Sequence, residues 1–432
     1  MHTAYLSNSP TLLTQISNTS YISISLQHNP SYVYISMAMS LFNSTMYFLV
    51  FFLFFITTRT SRASAQGDYY NVVDLGAKAD GLTDSTKAFF DAWAKACVSS
   101  HPATIYVPPG SYLLSQIVFA GPCNNRHISI EVQGRLVAPS NYAALSSSGR
   151  WILFHNVSGV SIYGGTLDGR GPGLWACKAS GKACPEGAAS LTFNHGEDIK
   201  ISGLESINSQ VSHIVIHGCK NVTMNGVTVR APGNSPNTNG IHVESSTGVA
   251  ITRTIIKTGN DCISIGPGTQ NLMIDQIACG PGHGISIGSL GKRLDEAGVQ
   301  NVRVKSVMFS GTTNGVRIKS WARPSNGFVK DVVFEYAIMR NVKNPIVIDQ
   351  HYCFAKENCP NQLNSGVKIS NVTYSNIRGS STTGIAVKLD CSSSNPCSGI
   401  ELKDVKLAYI NNNLRRRAQS SFENVADLVL DL

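Results

Sequence analysis

A short motif recurs along much of the chain, and its spacing constrains the fold more than any other feature. Each copy holds an apolar strand, a bend at a small or polar residue, and a second short strand. The copies are VSIYGGTLDG from Val160, IKISGLESIN from Ile199, VTMNGVTVRA from Val222, VAITRTIIKT from Val249, LMIDQIACGP from Leu272, VRVKSVMFSG from Val302, VVFEYAIMRN from Val332, VKISNVTYSN from Val367 and IELKDVKLAY from Ile400. Most copies are about 23 to 30 residues apart, a period that indicates a solenoid in which each repeat forms one coil.

The strands of this motif alternate apolar and polar residues, so each strand has one buried face. No helix-length periodic segment separates them, and parallel strands must then be connected by winding around one axis. We therefore predict an all-β, single-domain right-handed parallel β-helix. A β-sandwich is the alternative, although the two-residue hairpin turns that it needs are scarce.

The ends of a solenoid expose unpaired strand edges and need caps. The segment TDSTKAFFDAWAKAC predicts a short N-terminal capping helix, begun by Thr83 or Asp84, with a buried face formed by Phe89, Trp93, Ala96 and Cys97. After Asn413 the sequence no longer follows the repeat. We assign the β-helix domain to residues 66–412 and a divergent C-terminal tail to residues 413–432.

Residues 1–65 are interpreted as an upstream extension followed by a secretory signal peptide. The apolar run YFLVFFLFFI is too short to span a bilayer, and the small residues Ala63 and Ala65 precede a cleavage point before Gln66. No Lys or Arg precedes Arg59, so translation from Met37 or Met39 is an open alternative, as is an uncleaved anchor. The expected location is extracellular, in the cell wall, with no membrane attachment after cleavage.

Eleven cysteines fit an oxidising compartment. They fall into the close pairs Cys97 and Cys123, Cys177 and Cys184, Cys262 and Cys279, Cys353 and Cys359, and Cys391 and Cys397. Cys219 is left over and is predicted to be a buried free thiol. Metal binding is the competing interpretation, but no CxxC pair occurs. The sequons at Asn156, Asn221 and Asn371 are compatible with a secreted glycoprotein.

The formal net charge of +9 has two interpretations, a solvated basic surface or attraction to a polyanion. Part of this charge lies at Arg59, Arg62 and the run 415–417. No basic run is interleaved with aromatic residues, so nucleic acid is not an expected partner. No cofactor and no metal are predicted.

Coil spacing brings several polar residues together. Stacked coils place equivalent side chains about 4.8 Å apart. Asn239 precedes Asn260 by 21 residues and Asp261 precedes His283 by 22, so each step is close to one coil. These four residues should form a short column on one face of the β-helix.

Two cations follow one longer coil later. Arg317 and Lys319 are two residues apart in NGVRIKS, so on a strand both side chains point the same way. Two cations converging on a groove suit a carboxylated sugar polymer. The alternatives are hydrogen-bonded asparagine ladders at Asn237 or Asn239, a turn residue at His283, and solvated surface cations.

Longer segments around these residues resemble a known family. SPNTNGIHV, TGNDCISIG, CGPGHGISIGSLG and NGVRIKSW resemble the four signature blocks of plant polygalacturonases, in glycoside hydrolase family 28. GRGPGLWACK, ISGLESINSQ, WARPSNGF and IDQHYC match the same family, and the resemblance runs from about Tyr69 to Asn411. It implies a monomer that cuts the galacturonan backbone of pectin by inverting hydrolysis, with wall inhibitor proteins as further partners.

The resemblance also assigns roles, and the chain departs from it at two positions. The family carries Asn-Thr-Asp in the first block and Asp-Asp in the second; the first Asp of the second block is the usual general acid, and the other two activate water. The catalytic set would here be Asp261, His283, Asn239 and Asn260, with asparagine where two aspartates are expected. The substrate-binding set would be Asn237, Arg317, Lys319 and Tyr352.

The departure predicts weakened catalysis. An amide has no proton to transfer at neutral pH, and each general acid or base contributes roughly 10² to 10⁴ in rate. We therefore predict a polygalacturonase-family protein with impaired activity. The alternatives are a catalytically inactive pectin-binding or decoy homologue, and a pectate lyase-like protein, which would need an acidic cluster for calcium where the groove offers only Asp261.

Overall fold

Alternating buried and exposed side chains run through most strands of the structure, a computed structural model of the chain. It describes residues 67–145, 148–353, 364–411 and 414–431, together with the strand segments 15–16 and 22–23. The chain divides into two compact units, Met1–Gln66 and Gly67–Leu432. The described part of the first unit is an antiparallel pair of two-residue strands. The predicted signal peptide lies outside the described residues.

The strands of the first half of the chain, in chain order, are β1 (Gln15–Ile16), β2 (Ile22–Ser23), β3 (Asp68–Asn71), β4 (Asp80–Asp84), β5 (Ala103–Val107), β6 (Ser111–Leu113), β7 (Ile117–Ala120), β8 (Ile128–Val137), β9 (Arg150–His155), β10 (Val160–Asp168), β11 (Ala189–Asn194), β12 (Glu197–Ser202), β13 (Glu205–Ile207), β14 (Ile214–His217), β15 (Lys220–Asn225) and β16 (Thr228–Arg230). Those of the second half are β17 (Ile241–Glu244), β18 (Thr247–Lys257), β19 (Ile263–Ile265), β20 (Gln270–Cys279), β21 (Ile285–Leu290), β22 (Val299–Ser310), β23 (Asn314–Trp321), β24 (Phe328–Val342), β25 (Asn344–Tyr352), β26 (Lys368–Ser381), β27 (Ile385–Asp390), β28 (Ser398–Asn411), β29 (Leu414–Arg417), β30 (Gln419–Glu423) and β31 (Val429–Asp431). The helices are α1 (Thr86–Val98), α2 (Pro172–Ala179) and the 3₁₀ turn Tyr142–Leu145.

The second unit is the predicted right-handed parallel β-helix. One side is an eleven-stranded sheet in the order β30-β27-β25-β23-β21-β19-β17-β14-β11-β9-β7, in which every pairing is parallel. The other strands join into an array of 18, in which a long strand such as β10 pairs with both β12 and β13. Each coil therefore contributes one strand to the eleven-stranded sheet and one or two to the array.

Register confirms the repeat. Ile241 pairs with Ile263, Ile263 with Ile285, and Ile285 with Val316, so the same position recurs after 22, 22 and 31 residues. All four side chains are fully buried. Such inward-facing aliphatic rows form the core between the sheets, and they leave the alternate residues on the outer face.

The N-terminal end is capped by α1. Its buried residues include Phe89, Trp93 and Ala96, and the ring centroid of Trp93 lies 5.2 Å from that of Phe119 in the first coils. The predicted first residue was wrong by one or two positions, because the helix N-cap is Ser85 rather than Thr83 or Asp84. Asp84 still helps the helix start, since its Oδ1 accepts a hydrogen bond from the Thr86 backbone N–H at 2.8 Å.

At the other end, residues 414–431 take part in the same sheets. β29 runs antiparallel to β28, β30 extends the eleven-stranded sheet beyond β27, and β31 pairs in parallel with β28. The segment set apart as a divergent tail thus adds strands to the last coil. Arg415, Arg416 and Arg417 are exposed there.

The disulfides follow the predicted pairs where the structure describes both partners. Four are formed: Cys97–Cys123, Cys177–Cys184, Cys262–Cys279 and Cys391–Cys397. Cys359 of the fifth predicted pair lies outside the described residues. Cys219 is a buried free thiol, as predicted.

Candidate active site

Three candidate residues stand at equivalent positions of successive coils. Asn239, Asp261 and His283 lie two residues before the first residues of β17, β19 and β21, which are paired with one another. Asn260 directly precedes Asp261, and its backbone carbonyl accepts a hydrogen bond from the His283 N–H at 2.7 Å. The coil spacing in the sequence predicts this arrangement. We call Asn239, Asp261 and His283 the site column.

The turn that carries the site column is closely packed. A Cβ atom on Gly240 would lie 2.4 Å from the carbonyl oxygen of Cys262 in the next coil, so only glycine fits after Asn239. Cys262, fully buried, is joined to Cys279 and anchors the backbone next to Asp261. Gly240 is therefore a packing requirement of the coil.

Asp261 is the centre of an ion-pair cluster. Only 2% of the residue is exposed. Its Oδ1 accepts hydrogen bonds from Arg317 Nη2 at 3.0 Å and Ser286 Oγ at 3.2 Å, and its Oδ2 accepts one from Lys319 Nζ at 3.1 Å. Hydrogen bonds of this kind, between cationic donors and a carboxyl group, are shorter and stronger than those between neutral groups. Each oxygen of this carboxyl group thus contacts a cation, and Oδ2 can accept a further hydrogen bond.

Aromatic rings complete the cationic side of the site. Lys319 Nζ lies 5.1 Å from the ring centroid of Tyr352, and Arg317 Cζ lies 6.0 Å from it, within cation–π range. Trp321 contacts the same ring edge-on, with centroids 5.5 Å apart. Burial lowers the pKa of Lys319, an effect opposed by Asp261, and burial raises the pKa of Tyr352. The side chains of Arg317 and Lys319 remain 14% and 10% exposed, so part of each cation is accessible to a ligand.

His283 joins the same electrostatic cluster. Burial lowers its pKa; Asp261 acts in the opposite direction, and Arg317 and Lys319 lower it further. The ring is therefore neutral at neutral pH, with one nitrogen that donates and one that accepts a hydrogen bond. It can orient a hydroxyl group or a water molecule.

The three amides differ in their surroundings. Asn239 is half-buried, and its side-chain Oδ1 is buried without a hydrogen-bond partner among the described residues. Asn260 is half-buried, and Asn237 is exposed with φ at 52°. A buried carbonyl oxygen without a partner calls for an explanation, because burying it costs about 1–3 kcal/mol.

Sequence reasoning missed two members of the site. Ser286 bridges Asp261 and Arg317, whose Nε donates to Ser286 Oγ at 3.1 Å. Asp349 pairs in register with Lys319, and burial raises its pKa. Both occupy outward positions of the eleven-stranded sheet, so period-2 alternation in ISI and IVID is the signal that could have found them. In the described ranges no group of three or more His, Cys, Asp or Glu side chains is arranged to hold a metal ion.

Comparison with known proteins adds independent evidence. The family model described as glycosyl hydrolases family 28 matches residues 97–426. The chain belongs to glycosyl hydrolase family 28. A Prunus persica polygalacturonase is 60% identical over 343 residues, which cover 79% of this chain and 87% of the relative. A Platanus acerifolia exopolygalacturonase is 42% identical over 80% of this chain and 91% of its own length.

Solved structures agree with the family 28 assignment at the level of fold. An endo-xylogalacturonan hydrolase from Aspergillus tubingensis superposes with a TM-score of 0.70 at 22% identity, over 82% of this chain and 99% of that one. A polygalacturonase from Erwinia carotovora gives a TM-score of 0.65 at 22% identity, over 84% and 96%. At these identities the likeness shows the β-helix alone. The match of the family 28 model to residue 426 includes β29 and β30.

Within this family 28 chain, the site combines two cations with one carboxyl group and two amides. Inverting glycoside hydrolysis uses one protonated carboxyl and one opposing carboxylate. The site column and its neighbour Asn260 supply one carboxylate, already ion-paired, and two amides. The cations and Tyr352 are all in place.

Proposed function

We propose that the chain binds the galacturonan backbone of pectin and hydrolyses it only slowly. The observation that carries this proposal is the geometry of Asp261, whose two oxygens contact Arg317 and Lys319 beside the amides Asn239 and Asn260. The partly exposed edges of the two cations offer charge-assisted hydrogen bonds to a sugar carboxylate. Membership of a hydrolase family favours hydrolysis over a lyase reaction.

Slow hydrolysis follows from the missing proton donor. Asn239 and Asn260 have no proton to give, and both oxygens of Asp261 are engaged by cations, Arg317 and Lys319. His283 is an inadequate substitute, because burial lowers its pKa and leaves a neutral ring. Asp261 and His283 can still orient a water molecule, so a low rate is expected rather than none.

The proposal includes the cellular setting. Four disulfides among the described residues fit an oxidising compartment, and the residues upstream of Gln66 fit a cleaved signal. No helix in the described part of the chain has the length and apolarity of a membrane span. We expect a monomeric, secreted glycoprotein of the cell wall, with pectin as its ligand and wall inhibitor proteins as further partners.

A second candidate is a binding protein without catalysis. It would hold pectin, or engage the proteins that recognise active relatives, and the two amides favour it. Arg317, Lys319 and Tyr352 are all retained, so affinity for galacturonan is expected under both candidates. Only the rate of bond cleavage separates them.

The deciding experiment measures binding and cleavage on one preparation. The chain is purified free of contaminating pectinase and incubated with sodium polygalacturonate; new reducing ends report cleavage, and affinity electrophoresis reports binding. The Asn239→Asp, Asn260→Asp double variant is the positive control. We expect both proteins to bind, and the parent to cleave at least about 100-fold more slowly.

Each outcome has a definite meaning. A slow but measurable rate supports an impaired hydrolase, and a rate at background with binding retained supports the binding protein. Equal rates in the parent and the double variant would refute the importance of the amides. Absence of binding in both proteins would refute galacturonan as the ligand.

A further inference from the structure

Four imidazoles lie side by side on the outer face of the eleven-stranded sheet, on the amino-terminal side of the site. The ring centroids of His155 and His195 are 6.1 Å apart, and those of His195 and His217 are 5.9 Å apart. Beyond them, His217 Nδ1 and His242 Nε2 lie 3.5 and 3.3 Å from the same oxygen of Glu244. We call the four rings the imidazole stripe.

The imidazole stripe is accessible and carries little compensating charge. The side chains of His217 and His242 are 39% and 27% exposed, and His155 and His195 are exposed. Among the ion pairs of the described residues, only the two with Glu244 involve these rings. The hydrogen bond from His242 lowers the pKa of Glu244, which therefore stays ionised.

The stripe is continuous with the candidate active site. His242, Ser264, Ser286 and Arg317 occupy one outward row across β17, β19, β21 and β23. Ser264 Oγ lies 2.8 Å from His242 Nδ1, and Ser286 Oγ accepts a hydrogen bond from Arg317. Ser264 and Ser286 are themselves register partners. A chain of polar side chains therefore leads from the imidazoles to the cations that hold Asp261.

The opposite side of the site carries charge of the other sign. Asp349, Asp390 and Glu423 follow Lys319 along a second outward row, through β25, β27 and β30. Asp390 is paired with Lys388 at 3.0 Å and with His351 Nδ1 at 2.9 Å, whereas no ion pair of the described residues involves Asp349 or Glu423. A polyanion is repelled there. An extended galacturonan chain is better accommodated on the imidazole side.

We propose that the imidazole stripe provides the subsites for galacturonate units on the amino-terminal side of the site, and that it holds their carboxylates more tightly at mildly acidic pH. The proposal rests on the galacturonan specificity proposed above. Neutral rings donate one N–H to sugar oxygens, whereas protonated rings add a positive charge near each carboxylate. Affinity for the polyanion should therefore be higher at pH 5 than at pH 7.5.

The experiment compares a stripe variant with a matched surface variant. The triple variant His155→Gln, His195→Asn, His217→Gln removes three rings; asparagine is chosen at 195 because φ there is 55°. His127→Gln makes the same chemical change at an exposed histidine next to β8, in the other array. Dissociation constants are measured by calorimetry at pH 5 and pH 7.5, at constant ionic strength. The probes are sodium polygalacturonate and its fully methyl-esterified form.

For the parent and the His127→Gln protein, we expect polygalacturonate to bind about tenfold more tightly at pH 5, as a few exposed ion pairs would give. The triple variant should lose most of this gain, and the esterified polymer should show none in any protein. An unchanged gain in the triple variant would overturn the stripe. If Arg317→Gln abolishes polygalacturonate binding but the triple histidine variant binds like the parent, the role of the imidazole stripe is refuted and the galacturonan specificity of the site is not. Absence of parental binding to polygalacturonate at both pH values would refute the ligand and the stripe together.

Discussion

Two columns of polar residues run along the β-helix, and their asparagines differ in hydrogen bonding. One lies near the starts of β12, β15, β20, β22, β24 and β26, within the 18-strand array. It is formed by residues that all have φ between 53° and 57°, namely Asp198, Asn221, Asn271, Asn301, Asp331 and Asn371. We call it the asparagine ladder. The other is the site column. In the ladder, amides donate to the neighbouring coil, as Asn371 Nδ2 does to Asp331 Oδ1 at 2.6 Å.

The comparison shows which asparagines the fold requires. A left-handed backbone favours Asn, and stacking at one position per coil gives each side chain a partner in the ladder. The carbonyl oxygen of Asn239 in the site column has no such partner among the described residues. Hydrogen-bonded asparagines, the alternative interpretation for Asn239, therefore occur in this β-helix, but within strands of the 18-strand array. The amide of Asn239 is not explained by fold stability.

The largest expected difference between the columns is in catalysis. Asn260→Asp should raise the rate of polygalacturonate cleavage by about 100-fold or more, because it provides a proton donor next to the carboxylate of Asp261. Asn239→Asp alone should raise the cleavage rate less, because it adds a second carboxylate but leaves Asn260, which cannot donate a proton, in place. Asn301→Asp, in the asparagine ladder, should leave the cleavage rate unchanged. Reducing-end assays on the three variants make the test, and a larger gain for Asn239→Asp would reverse the assigned roles.

The second largest expected difference is in the free energy of unfolding after a substitution in each column. Asp261→Asn leaves Arg317 and Lys319 without their carboxylate in a nearly buried site, which should lower the free energy of unfolding by about 3–5 kcal/mol. Asp331→Asn, at an exposed ladder position, should lower it by under about 1 kcal/mol. Urea denaturation measures both. Adding Lys319→Met to Asp261→Asn should recover part of the loss, and no recovery would contradict the ion-pair explanation.

The free energy of unfolding is expected to depend on pH because of His213, in the coil that precedes Asn239. His213 is fully buried, its backbone N–H donates to Asn239 O at 2.9 Å, and burial lowers its pKa from 6.5 to about 3. Above pH 6.5 the ring is neutral in both the folded and the unfolded chain. Between pH 6.5 and about 3 the unfolded chain alone binds the proton, so stability should fall by about 1.4 kcal/mol per pH unit.

The measurement is the free energy of unfolding by urea from pH 7.5 to 4.5 in the parent and in His213→Gln. The variant is expected to be less stable at pH 7.5, because Gln must replace the ring contact with Ser206. Its slope with pH should nevertheless be shallower by about one proton. Identical slopes would show that His213 is not the group responsible.

Much of this architecture could be predicted from sequence because the coil imposes both period and direction. The 22-residue step from Asp261 to His283 predicts the site column, and the two-residue step from Arg317 to Lys319 predicts a shared face. Helix α2 was missed, since eight residues are too short for a reliable helical period. The strands after residue 413 were missed because β31 is exposed throughout and shows no alternation.

The burial of the site residues could not be predicted from the sequence either. Nothing in TGNDCISIG reveals that Asp261 is nearly buried or that both its oxygens are occupied, because those contacts come from Ser286, Arg317 and Lys319 on later coils. Likewise, the sequence does not distinguish an asparagine that is hydrogen-bonded in the ladder from one whose side chain has no partner. Stacking of coils distinguishes them.

Removing single asparagine side chains is the most direct test of the two columns. Asn301→Ala removes the hydrogen bond from Asn301 to Asn271 and places alanine at a φ of 53°, so it should lower the free energy of unfolding by about 2 kcal/mol. Asn239→Ala instead removes a buried oxygen that has no partner, and it should be neutral or stabilising by up to about 1 kcal/mol. Asn301→Gly keeps the backbone geometry and isolates the hydrogen-bond contribution. Denaturation midpoints of the three variants decide the matter, because a loss at Asn239→Ala as large as that at Asn301→Ala would mean that both asparagines support the fold.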